Sequence, residues 1–402
     1  MESAASRIEA IQSALRDAHL DGWLFYDHHN RDPLAYSILG IPGGHVTRRW
    51  YYFIPATGEP RKLVHRIESG RLDPLPGSKA EYSSWQELEQ NLESLLTGAT
   101  RIALQYSPRN AIMYVSLVDA GTIELIRSFG KEPVTSADLV SRFEAVLTDA
   151  QIATHYEAQR KLDAILQAGF REIGSRVRAN SPDAHEHAIV QFLQTAIDRE
   201  GLITEFGPNV SVGANSADSH YEPTAASSKP IHRGDFVLID IWARLANDPS
   251  AIWYDITWTG VIDRDPTPRE QEIFITVRNA RDAAIAAVEQ AFAANKPITG
   301  YEADDASRAI IRAAGFAPQF THRTGHNIGT SLHGNGANLD NLETHDTRLI
   351  LPNTCFSVEP GIYFPGAHSD PNAFGIRSEV NMITRPGRAE VTGPRQQELV
   401  RI

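Results

Sequence analysis

GDFVLIDIWARLANDPSAIWYDITWTG, residues 234–260, holds two apolar runs joined by a polar segment. Side chains alternate along a strand, so Phe236, Leu238 and Asp240 share one face of the first run, and Trp253, Asp255 and Thr257 share one face of the second. Asn247, Asp248, Pro249 and Ser250 form a turn-like link, which makes the runs a hairpin able to bring both aspartates to one place. A carboxylate inside an apolar strand costs several kcal/mol unless it is paired or holds a metal. Two of them in consecutive strands point to a cation.

The same signature returns near the C-terminus. NTCFSVEPGIYF (353–364) ends an apolar run on Glu359, and FGIRSEVNMIT (374–384) places Glu379 inside a further strand, with Arg377 two residues before it on the same face. A salt bridge from Arg377 to a carboxylate is a purely structural alternative for that pair. Between these strands and the hairpin lies THRTGHNIGTSLHG (321–334), with His322, His326 and His333 among glycines. Taken alone it reads equally as a polar surface loop. Four acids and an imidazole suit a divalent metal, and carboxylates that can bridge suit a pair of them.

Each strand set follows a pair of helical patterns. Residues 155–180 and 185–201 form the first pair, closed by Asn180 and Gly201; residues 272–296 and 301–315 form the second, with Pro297 as the break and Gly315 as the stop. Identity between the halves is low, but the plan occurs twice, which implies a duplicated half-domain with a site between its halves.

The order Asp240, Asp255, His326, Glu359, Glu379 resembles the five-ligand set of the M24 metallopeptidases, the pita-bread fold of methionine aminopeptidase, aminopeptidase P and prolidase. The motifs carrying it are D-I-T at Asp255, G-H-x-I-G at His326, V-E-P-G-I-Y at Glu359 and R-S-E at Arg377. R-I-E-A-I-Q and L-D-G-W-L-F-Y near the start resemble the creatinase-type N-terminal domain, which favours the aminopeptidase P and prolidase branch. The resemblance implies an α/β protein: a creatinase-like α/β domain over 1–150, then a pita-bread α+β catalytic domain over 151–402 with an internal pseudo-twofold repeat. It implies two divalent ions, manganese favoured over cobalt or zinc. Asp240 would chelate one ion, Asp255 and Glu379 bridge both, and His326 and Glu359 complete the second. A water between two such ions is acidified toward neutrality and becomes the nucleophile, with Glu359 shuttling its proton. His220 would contact substrate, His333 steady the tetrahedral intermediate, and His322 and Arg377 line or back the pocket.

The expected reaction is hydrolysis of the Xaa-Pro bond, of dipeptides ahead of longer peptides; the alternatives are an aminopeptidase P and a non-catalytic peptide-binding module. A creatinase-like amidinohydrolase shares the fold but loses the metal ligands that are present here. Four departures stand out. The hairpin aspartates are fifteen positions apart, which implies a longer turn around Leu245 to Ser250. Asn327 replaces a usual glycine, and Val380 a usual acid or asparagine. His345 and Arg348 lie nearest the place of a carboxylate-binding arginine. Phe206 stands where a tyrosine is found.

Composition limits the remainder. A chain of 402 residues exceeds one ordinary core, and its 42% hydrophobic and 22% charged content is that of a folded soluble protein rather than a disordered one. A formal net charge of -12 without a basic run argues against nucleic acid and anionic membranes as partners. The one cysteine, Cys355, excludes an intramolecular disulfide and reads as core. Residues 1–22 read as an amphipathic helix built on Ile8, Ile11 and Leu15 rather than as a secretory signal, so a cytoplasmic protein is expected, and a homodimer by resemblance. The cluster Asp27, His28, His29, Asn30, Arg31, Asp32 reads as a solvated loop.

Overall fold

Ser3 opens the first helix, α1 (Ala4–Asp17), by accepting the Ser6 N–H on its side chain at 3.1 Å. Ile8, Ile11 and Leu15, the expected stripe, are buried, and each such side chain contributes about 2 kcal/mol by leaving water. The computed structural model describes residues 3–402, so the first two residues of that expected helix lie outside the described residues. The chain divides into two compact units, Met1–Glu144 and Ala145–Ile402. No helix among the described residues is long and apolar enough to cross a membrane.

In the first unit β1 (Gly22–Asp27), β2 (Trp50–Pro55), β3 (Arg61–His65), β4 (Ser78–Tyr82), β5 (Arg101–Leu104) and β6 (Glu132–Thr135) form one mixed sheet in the order β4-β3-β2-β1-β5-β6. Alternation sends Trp23 and Phe25 of β1 into one core with α1, α2 (Pro33–Leu39) and α5 (Ala137–Glu144). It sends Leu24 and Tyr26 into another with α3 (Trp85–Leu95) and α4 (Ala120–Ser128). A sheet covered on both faces explains why β1 and β2 are buried throughout.

The second unit runs α6 (Asp149–Arg178), α7 (Glu186–Arg199), β7 (Leu202–Ile203), β8 (Asn209–Val212), β9 (Phe236–Leu245) and β10 (Tyr254–Val261), and then α8 (Pro268–Ala293) and α9 (Gly300–Ala313). Strands β11 (Asn327–Ile328), β12 (Cys355–Val358), β13 (Gly361–Phe364), β14 (Phe374–Arg377), β15 (Val380–Arg385), β16 (Arg388–Thr392) and β17 (Val400–Arg401) follow. Asn180 takes the left-handed conformation just past α6, with φ 48°, and Thr267 and Glu270 form a capping box at the start of α8. The helix pair α6 and α7 shares a core with β8, β9 and β10; α8 and α9 share one with β12 and β15. The twofold plan read from sequence is therefore present in the packing.

One expected strand is broken. Residues 374–384 read as continuous, yet β14 pairs with β13 while β15 pairs with β12, and Ser378 and Glu379 lie between them. Glu359 and Pro360 occupy the facing gap between β12 and β13. Proline has no N–H for a ladder, and the Glu379 N–H donates instead to the Thr257 carbonyl of β10 at 3.2 Å. The ribbon switches sheets where its two glutamates sit.

Beneath this ribbon His155 of α6 is wholly buried, its Nδ1 2.6 Å from the Trp253 carbonyl and its Nε2 2.9 Å from Thr392 Oγ1. Burial pushes its pKa from the usual 6.5 down to about 4. A neutral folded ring contributes stability that is complete above pH 6.5 and is lost as the pH falls from there toward 4. The stability difference between the wild type and His155→Gln, read by urea denaturation, should shrink by about 3 kcal/mol between pH 7 and pH 4. An equal difference at both pH values would rule out this titration.

Candidate active site

The β9–β10 register places Thr257 opposite Asp240 and Asp255 opposite Trp242, so Asp240, Asp255 and Thr257 share one face as diagonal and direct neighbours. The longer turn does not disturb this pairing, because the tip closes on itself: Asp248 Oδ1 accepts the Ser250 N–H at 2.8 Å. Thr257 Oγ1 lies 2.7 Å from Asp240 Oδ1 and 2.8 Å from Glu379 Oε2, tying the hairpin to the sheet switch. Arg377 Nε donates to the same hydroxyl at 2.9 Å, and its Nη2 is in close contact with Asp240 Oδ2. His326 Nε2 stands 3.7 Å from Asp255 Oδ2 and 3.4 Å from Glu359 Oε1.

Three buried carboxylates, Asp240, Asp255 and Glu379, and the half-buried Glu359 face one guanidinium. Burial first, then Glu359, raises Asp255 well above the usual carboxylate range; burial, then Asp255 and Glu359, does the same to Glu379. Burial lifts Asp240 to about 7 against the pull of Arg377. Glu359 goes the other way. Although burial opposes it, His326, then Arg377 and His322, draw it down to about 2. Asp255 Oδ1 and Glu379 Oε1 are buried without a hydrogen-bond partner among the described residues. One ligand atom each from Asp255, His326 and Glu379 lie within 4.8 Å of one another, so the donor set fits a divalent cation.

A model of metallopeptidase family M24 matches residues 156–386, over half of the chain and all of this site. The chain belongs to that family. Among curated relatives it is 24% identical over 400 residues to the probable dipeptidase PepE of Mycobacterium bovis, covering 97% of this chain and 94% of the relative. It is 28% identical over 235 residues to the Xaa-Pro dipeptidase of Lactobacillus delbrueckii subsp. lactis, covering 57% and 56%. The crystal structure of dipeptidase PepE from Mycobacterium ulcerans superposes with a TM-score of 0.68 at 23% identity, covering 99% of this chain and 97% of that one. This likeness is one of fold, and the architecture is the pita-bread α/β arrangement.

The M24 loop 321–334 owes its path to Gly325. It bridges to Leu339, and a Cβ there would sit 1.9 Å from the Ser357 carbonyl oxygen. That approach lets the His326 N–H donate to Ser357 Oγ at 2.9 Å, while the same hydroxyl donates to Glu359 Oε1 at 2.9 Å. The His333 ring is 4.2 Å from that of His326, which is the main reason its pKa falls to about 3. His322 stands further back, half-buried, with Nε2 2.8 Å from the Tyr363 hydroxyl; burial lowers it to about 4 and keeps it neutral. His220 is exposed in a turn where its N–H donates to Asp218 Oδ1 at 3.0 Å. Arg377 is held on Asp240 and Thr257, the arrangement of the salt-bridge alternative.

Asn381 was not singled out by sequence reading. Its side chain donates to the Asp255 carbonyl and accepts the Asp255 N–H, both at 2.9 Å, as a neighbouring strand would. The available signal was an amide two residues past Glu379 inside the apolar run VNMIT. The departures also gain reasons. Asn327 binds the Cys355 carbonyl and the Gly336 N–H, both at 2.9 Å, so its side chain is a brace for the loop. Arg348 is buried and doubly bonded to Asp346, and His345 packs on Tyr301 with tilted rings 4.3 Å apart between centres. Phe206 is 86% exposed.

Proposed function

We propose that this M24 chain is a dinuclear Xaa-Pro peptidase that acts on dipeptides. The observation that carries the dinuclear reading is the charge imbalance of four carboxylates, three of them buried, against Arg377, with an unpartnered oxygen on both Asp255 and Glu379. One divalent ion leaves that pocket negative; two neutralise it with one positive charge to spare for an anion. Asp240, Asp255, His326, Glu359 and Glu379 would hold them, with Asp255 and Glu379 shared. Manganese is the ion proposed for an oxygen-rich set with one imidazole. The bound ions supply an acidified water as nucleophile near neutral pH.

Glu359, kept ionised and oriented by Ser357, accepts the proton of the attacking water and returns it to the proline nitrogen, which must be protonated to leave. His333, beside His326, donates to the developing oxyanion, and His220 contacts the substrate. The tertiary amide before proline has no N–H to offer a protease, so a pocket that does not rely on one is suited to it. Supporting the substrate class are the curated names of two relatives, a dipeptidase and an Xaa-Pro dipeptidase. With manganese restored, proline release from Ala-Pro should exceed cleavage of Ala-Pro-Ala. Hydrolysis of the tripeptide alone would replace the dipeptidase by an aminopeptidase P, and retention of no divalent ion would remove the peptidase mechanism.

A further inference from the structure

The first unit carries a cleft of about 600 Å³, well away in sequence from every residue of the metallopeptidase site. Its lining includes His28, Arg31, Arg48, Arg49 and His65, with Trp85 at 63% exposure. In a chain of formal net charge -12, three guanidiniums and two imidazoles meet a single lining carboxylate, Asp119. That carboxylate is engaged elsewhere: it caps α4, accepting the Thr122 N–H and hydroxyl, each at 2.9 Å. The acid Glu68 is likewise occupied, by the Thr47 N–H at 2.9 Å and the Thr47 hydroxyl at 2.6 Å. Among the described residues none of Arg31, Arg48 and Arg49 forms an ion pair with a carboxylate; Arg48 Nη1 donates to the Thr47 carbonyl at 3.1 Å.

The cleft is also preformed. Buried Asp27 accepts the N–H groups of Asn30, Arg31 and Asp32 at 2.9, 2.7 and 3.0 Å, which fixes the turn that supplies His28 and Arg31. His29 and Asn30 are held in the left-handed region, at φ 65° and 55°, a conformation non-glycine residues keep only where the surroundings enforce it. Tyr82 is anchored by donating to the Arg49 carbonyl at 2.8 Å, and Tyr26 stacks on Tyr51 at 5.0 Å between ring centres. The Asp27–Asp32 cluster, which sequence reads as a solvated loop, is thus one wall of a cationic and aromatic pocket.

Guanidinium forks match the paired oxygens of phosphate, and the exposed Trp85 ring offers a face for a planar group. A volume of this size is that of a small-molecule site. We propose that the cleft binds an organic phosphate of about mononucleotide size, gripped at its phosphate by Arg31, Arg48 and Arg49. No residue of its lining belongs to the set assigned to the metals.

The test is calorimetric titration of the full metal-loaded chain with adenosine monophosphate and, separately, with inorganic phosphate. One adenosine monophosphate should bind per chain, tighter than inorganic phosphate, with affinity falling as salt rises and at least about tenfold weaker in Arg49→Ala and Arg31→Ala. Equal affinity for the two anions would make free phosphate the ligand of the same site. Arg31 lies on an exposed turn, so Arg31→Ala keeps the test valid if Arg49→Ala fails to fold. No saturable heat with either anion, or binding unchanged in the folded variants as binding at the metals would be, overturns the proposal.

Discussion

Asp255→Ala and Glu379→Ala are each expected to lower kcat by roughly a thousandfold or more, equivalent to about 4 kcal/mol of transition-state stabilisation. Each removes a carboxylate with one oxygen already directed at a neighbour and the other left unpartnered: Glu379 Oε2 on Thr257, Asp255 Oδ2 near His326. Neither loss should unfold the chain, because the Asp255 backbone stays clamped by Asn381 and the Glu379 N–H by the Thr257 carbonyl. Stability should move the opposite way from activity. Both acids are pushed upward by burial and by neighbouring carboxylates, Glu359 on Asp255, and Asp255 and Glu359 on Glu379, so the metal-free variants should melt above the metal-free wild type. The decisive pairing is turnover with manganese and thermal unfolding in chelator. Near-normal turnover in either variant would contradict the bridging assignment.

The parts of this molecule that were legible in sequence are those governed by periodicity. The stripe Ile8, Ile11, Leu15, the hairpin alternation that puts Asp240 and Asp255 together, and the glycine and asparagine stops after the helices all follow from local rules. The break at Ser378 and Glu379 does not. Nothing local forbids a continuous strand over 374–384; the interruption arises because the Glu379 N–H is taken by Thr257, over a hundred residues earlier in the chain. For the same reason Asn381 escaped notice, since an amide that replaces a missing strand neighbour has a role only once the sheets are assembled. Arg348 shows the converse. Its position suggested a substrate contact, while folding commits both of its outer nitrogens to Asp346 and the Asn335 carbonyl.

Arg377→Met should cost the metal-free protein about 3–5 kcal/mol of unfolding free energy, the loss expected when one partner of a buried ion pair is removed. The size follows from what remains: Asp240 loses its close Nη2 contact, Thr257 loses the Nε donor at 2.9 Å, and four carboxylates are left in one pocket with no permanent cation. A packing defect would persist whatever the pocket contained. A missing charge would not, because divalent ions bound by the same carboxylates supply more positive charge than the guanidinium did. Saturating manganese should therefore narrow the gap between variant and wild type in urea denaturation, and the variant should retain measurable turnover at high metal concentration. A gap of the same size with and without manganese would show that Arg377 serves as filler for the core, and would remove charge compensation as the reason for its burial beside Asp240.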